Sequence, residues 1–148
     1  MKQRVLGIII FFIIGTVFIY WITSPKIEKW TYDLLPNDYA IKKTSETDVV
    51  LGKYIDGLFE IERDNKKIGI EDYIAEFKYG NNYISLKCLE PKKNEVKVKF
   101  YIIDTKDEYI YGPYQDEETY NKVAEKIVEE ELGDWIKTIS KPDGAIDK

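Results

Sequence analysis

Few side chains in this sequence can do chemistry, and their types narrow the possibilities before any fold is considered. There is no histidine, and Cys88 is the one cysteine. That removes Cys/His and Ser/His nucleophile arrangements, most transition-metal sites and any intramolecular disulfide. Three groupings remain. Ser85 and Lys87 stand two residues apart, a spacing that puts them on one face of a strand, as a Ser/Lys nucleophile pair requires. Alternation creates such pairs throughout any strand, however, and no nucleophile turn or oxyanion donor accompanies this one. Glu129, Glu130, Glu131 and Asp134 offer oxygens to calcium, yet successive helical positions diverge and the EF-hand loop spacing is absent. A solvated helix end is the simpler reading. Paired carboxylates can hydrolyse glycosidic bonds, but such pairs meet only in space. A small envelope hydrolase of that kind is therefore the alternative function. The residues nominate no catalytic, cofactor-binding or metal-ligating position, and the expectation is a protein that binds and is not an enzyme.

Tyrosine carries the positive signal. Of 12 tyrosines, Tyr73, Tyr79, Tyr83, Tyr101, Tyr109, Tyr111 and Tyr114 fall between Asp72 and Tyr114. Tyrosine gives large contact area at modest entropy cost and is enriched at recognition surfaces. Tyr109, Tyr111 and Tyr114, around the Gly112-Pro113 bend, form the expected contact patch; rings that merely cover a half-exposed sheet are the competing reading. Charge adds to this. Asp104 to Asp134 holds 11 acidic and 3 basic residues, net −8, whereas Lys26 to Ile103 is neutral. Such a surface repels anionic wall polymers and lipid headgroups and steers a basic protein partner. Without a block of Lys and Arg, nucleic acid is not an expected partner.

These residues must be positioned by a chain of two textures. From Val5 to Ile22, through Ile13 and Trp21, the sequence is uncharged, and roughly 18 to 20 helical residues span about 27 to 30 Å, the hydrocarbon thickness of a bilayer. Tyr20 and Trp21 suit the headgroup layer, and Pro25 ends the run. A cleaved signal peptide needs small residues at a processing site, and bulky Trp21 and Pro25 flank the candidate cuts. The expectation is an uncleaved, single-pass membrane anchor over residues 1–25. Lys2 and Arg4 precede it while Lys26 and Lys29, with Glu28, follow it. That balance places the N-terminus inside the cell and residues 26–148 outside as one extracytoplasmic domain.

Beyond the anchor, IEKWTYDLL (Ile27 to Leu35) packs onto the domain, with a short membrane-proximal helix as the alternative. Alternating, Tyr- and β-branched-rich runs then read as antiparallel strands at 39–44, 49–55, 72–79, 83–90, 95–104 and 108–112, with a brief edge near Leu58 and Phe59. Gly80, Asn81 and Asn82 form the clearest hairpin turn. Cys88 shares a face with Ile84 and Leu86 and reads as a small buried apolar residue. From Asp116, the positions Tyr120, Val123, Ala124, Ile127, Val128 and Leu132 make a helical stripe that Gly133 stops. The predicted fold is α+β: an N-terminal transmembrane helix, then one antiparallel sheet of about five strands covered by a C-terminal amphipathic helix.

Leu35-Pro36-Asn37 with Tyr39, Leu51-Gly52-Lys53, Tyr73-Ile74 with Phe77 and Tyr79, Tyr83-Ile84 with Leu86-Lys87, Tyr101-Ile102-Ile103-Asp104-Thr105 and Tyr111-Gly112-Pro113-Tyr114 follow one another in an order that resembles a family of small cell-surface proteins of Gram-positive bacteria, catalogued as domain of unknown function 3997. The resemblance covers Leu35 to Tyr114. It implies a membrane-tethered location and a fold type, and it brings no catalytic residues. Many members are lipoproteins; this sequence has no cysteine after its apolar run, so the tether would be the apolar segment itself.

Overall fold

In the computed structural model, residues 28–92 and 95–147 are described. The expected anchor positions Val5, Ile13, Trp21 and Ile22 lie outside them, and among the described residues no helix is long and apolar enough to cross a membrane. The strands run β1 (Trp30–Tyr32), β2 (Tyr39–Lys43), β3 (Val49–Ile55), β4 (Leu58–Glu60), β5 (Glu62–Arg63), β6 (Lys66–Lys67), β7 (Tyr73–Tyr79), β8 (Tyr83–Lys92), β9 (Glu95–Asp104) and β10 (Tyr109–Tyr114). Helix α1 (Glu117–Ile127) follows, then β11 (Ile136–Lys137) and β12 (Ile146–Asp147).

The expected α+β fold with a single sheet of about five strands is corrected: the described residues are mostly antiparallel β, in three sheets, with one α-helix. One five-stranded sheet has the order β12-β1-β2-β3-β4, a second has β10-β9-β8-β7-β11, and β5 and β6 form a separate ribbon. The two large sheets pack face to face. Trp30, Tyr32, Tyr39, Ile41, Val49 and Leu51 from the first meet Ile74, Phe77, Ile84, Leu86, Cys88, Tyr101 and Ile103 from the second in one buried cluster. Alternation places Ile84, Leu86 and Cys88 of β8 together on a buried face, as found, because inward and outward positions follow from a period of two. It could not say that the chain leaves one sheet after β4 and begins another at β7.

The second sheet is buried on both sides. Phe100 and Ile102 point away from the sandwich and meet Tyr120 of α1, with Val98, Val123, Ala124, Ile127 and Trp135 packed around them. Consecutive buried residues from Phe100 to Ile103 are what a strand covered on two faces demands. The order of layers is therefore sheet, sheet, helix.

Helix α1 begins as its sequence dictates: Asp116 is the N-cap, its carboxylate accepting the Thr119 N–H at 2.7 Å. It ends earlier than the stripe predicts, at Ile127 instead of Leu132. The next residues are used otherwise. The Glu130 carboxylate accepts the backbone N–H groups of Asn82 and Tyr83 at 2.8 and 3.1 Å, and Gly133 N–H donates to the Tyr79 carbonyl. These bonds pull the chain onto the β7–β8 turn and away from a helical path. The segment from Trp135 onward contributes one edge strand to each sheet: β11 pairs with β7 and β12 with β1. Between them Thr138 is fully buried, its hydroxyl donating to the carbonyls of Ile74 and Ala75 where β7 bulges. Residues 30–32, for which packing or a short helix was expected, form a buried central strand.

Candidate functional site

The structure disposes of two of the chemical groupings. Ser85 is completely buried on the α1 side of the second sheet, where it pairs with Ile102 of β9. Lys87, on the same face, is drawn to Glu76 at 3.5 Å. A nucleophile without a path to substrate is no active site. The acidic run after α1 does not converge either, since Glu130 clamps a turn, and among the described residues no group of three or more acidic or Cys side chains could hold a metal ion. Cys88 is fully buried, and desolvation pushes its thiol well above the ordinary range, so it is unreactive in the folded protein.

The three nominated tyrosines are brought to one end of the second sheet but do unlike work. Tyr109 is 55% exposed. Its ring meets that of Tyr111 edge to face at 4.6 Å, a favourable geometry for the aromatic quadrupoles. Tyr111 and Tyr114 are half-buried and lean on the Phe100–Ile102–Tyr120 cluster. Burial raises the Tyr114 phenol pKa, with the neighbouring phenols of Tyr111 and Tyr109 adding to it. Tyr109 is thus the accessible member, and Tyr111 braces it.

Strand β10 is the open edge of its sheet, and beside it runs a groove of about 430 Å³. Tyr109, Ile110 and Pro113 line it together with Lys66 and Lys67 of the β5–β6 ribbon, Ile70 and Tyr101. Sequence reasoning missed this groove because the ribbon lies in a stretch, 56–69, that reads as a charged loop. Its only local signal is Asp64-Asn65, both at positive φ in a two-residue turn. Two contacts fix the groove's end: Lys53 Nζ to Glu108 Oε1 at 2.7 Å, joining the two large sheets, and Lys66 Nζ to the Asp107 carbonyl at 3.4 Å.

The Lys53 ammonium, chiefly through its hydrogen bond, holds the Glu108 carboxyl below its ordinary pKa. A carboxylate depressed in the folded state stabilises it above the unfolded pKa, and that contribution is lost as pH falls through the folded value. Glu108→Gln is expected to flatten the acid limb of the pH–stability curve below the ordinary carboxylate range. Urea midpoints compared at neutral and acidic pH check this, and parallel curves for variant and wild type would count against the bridge.

One pair of carboxylates does meet in space. Lys99 Nζ lies 3.6 Å from Asp72 Oδ2 and 3.1 Å from Glu90 Oε2, while the Tyr101 hydroxyl donates to Asp72 at 2.5 Å. The Glu90 hydrogen bond is the first cause of a raised Lys99 pKa. Both carboxylates are thus engaged by the one ammonium.

Comparison with protein-family models, with curated proteins and with solved structures finds no match to this chain.

Proposed function

We propose that this protein is a membrane-tethered binding module, presenting its β-rich part outside the cytoplasm to a protein partner that meets it at Tyr109 and the groove along β10. The observation that carries the reading is an exposed aromatic ring, braced by a second, at the lip of a groove on an open sheet edge. Central aromatic anchors beside a concavity are where interface energy concentrates, and an unpaired edge offers backbone groups to an extended segment. The tether is the uncharged run from Val5 to Ile22, and the +2 of Lys2 and Arg4 before it supports the outward orientation. The excess of acid from Asp104 to Asp134 favours a basic partner. Immunity to a secreted toxin and an accessory role in an envelope complex both fit such a module.

A photocrosslinking amino acid placed at Tyr109 in living cells is expected to give one discrete adduct. The same group at Ile139, 79% exposed on the segment after β11, is expected to give none. Equal capture at both sites, or none at either, overturns the proposal. The second reading, an envelope hydrolase, draws on Asp72 and Glu90 alone. Both are paired with Lys99, and no observation favours this reading over the first.

A further inference from the structure

A second cleft, of about 380 Å³, lies where the β2–β3 turn approaches β7, β8 and the start of β9. Its surface has two characters. Tyr73, Leu89, Pro91 and Val96 give it an apolar floor, and Val96 is 61% exposed. Glu46, Glu71, Asp72 and Glu90 stand around that floor. Lys99 reaches only the last two, and Lys67 approaches Glu71 no closer than 4.0 Å. Among the described residues Glu46 makes no salt bridge. The cleft therefore sets four carboxylates, two of them paired with Lys99, beside an apolar surface. Two of its carboxylates are already oriented by Lys99 and Tyr101.

We infer that this cleft seats a lysine or arginine side chain from a basic segment of the protein partner, an inference that rests on the binding-module reading. A long cationic side chain has the matching anatomy: an apolar stem that lies along hydrophobic surface and a charged head that stays among polar groups. Here the stem packs on Leu89, Pro91 and Val96, and the head meets Glu46 and Glu71. Arginine, whose planar fork can engage carboxylates in pairs, gains most. The competing occupant, a divalent cation, finds no ligand-quality cluster of carboxylates among the described residues. Tyr101 links the two places: it lines the β10 groove, and its hydroxyl holds Asp72 here. A partner spanning both would present an extended segment to β10 and a basic side chain to this cleft.

The test uses the 148-residue chain in neutral detergent and a fluorescent peptide, Gly-Arg-Gly-Arg-Gly, with its citrulline counterpart as the uncharged probe. Glu46→Gln with Glu71→Gln is expected to weaken the arginine peptide about tenfold, as loss of two partly exposed charge contacts would. Glu125→Gln with Glu129→Gln removes the same charge from the helix side and is expected to leave affinity within about twofold. The citrulline peptide should not bind measurably. Equal weakening by both double variants means attraction to net charge alone and overturns the inference, as does absence of binding to the wild type. If the peptide fails while the Tyr109 adduct still forms, this inference falls and the binding-module reading stands. If the Tyr109 adduct fails, that reading falls with it.

Discussion

Phe77→Ala is expected to destabilise the protein by about 3 to 5 kcal/mol, the range for emptying a buried phenylalanine site that cannot collapse. Phe77 is fully buried between the two sheets. Its ring meets Tyr32 of β1 edge to face at 5.0 Å and stacks on Tyr79 at 6.4 Å. Those two tyrosines share a hydroxyl–hydroxyl hydrogen bond of 2.8 Å across the sandwich. Removing the ring leaves a cavity walled by rigid aromatics from both sheets. It also loosens the one polar contact that ties Tyr32 to Tyr79. Urea denaturation followed by Trp30 and Trp135 emission measures the effect. Val96→Ala, at an exposed position of β9, serves as the comparison and is expected to change stability by less than about 0.5 kcal/mol. Equal midpoints for the two variants would mean that the sheets are not packed on one another at Phe77.

Gly69→Ala is expected to cost about 3 kcal/mol, at the upper end of what overpacking a closed site does. A β-carbon at this position would run into the Leu51 carbonyl oxygen and lie 3.1 Å from the Gly52 α-carbon. Both are backbone atoms in a ladder, so no side chain can swing aside. Leu51 and Ile70 exchange hydrogen bonds of 2.9 Å in both directions there, and the neighbouring N–H groups of Ile68 and Gly69 donate to the Ile61 carbonyl. The substitution therefore pries the β5–β6 ribbon from the first sheet. Because Ile70, Lys66 and Lys67 line the β10 groove, the Tyr109 adduct should diminish along with stability. A variant of wild-type stability would show that the close approach of Gly69 to β3 does not exist.

Much of the local structure was legible in the sequence, and the reason is the short range of the signals. Strands β3 and β9 begin and end where alternation places them, Val49 to Ile55 and Glu95 to Asp104. Asn81 and Asn82 mark the β7–β8 turn, and Asp116 caps the helix. What alternation cannot encode is partnership at a distance. The sheet of about five strands became two large sheets and a ribbon because nothing in β4 or β7 announces that they belong to different sheets. The apolar run Phe100-Tyr101-Ile102-Ile103 did hold that information: four buried residues in succession require cover on both faces. The C-terminal strands were missed because two-residue edges such as Ile136-Lys137 and Ile146-Asp147 carry no period. Of the candidate surface, Tyr109 could be found from composition and turn chemistry. Neither groove could, since each is assembled from at least three segments remote in sequence.

The account stands on presentation: a surface of this kind serves a partner only on the side of the membrane where it lies. Ser140→Cys, at an exposed position between β11 and β12, supplies a reactive thiol, whereas native Cys88 is fully buried and serves as the internal control. Intact cells carrying the 148-residue chain are treated with a membrane-impermeant maleimide. The account predicts that the Ser140→Cys protein is labelled on intact cells and that the wild type is not. Labelling of Ser140→Cys only after lysis would place the β-rich part inside and contradict it.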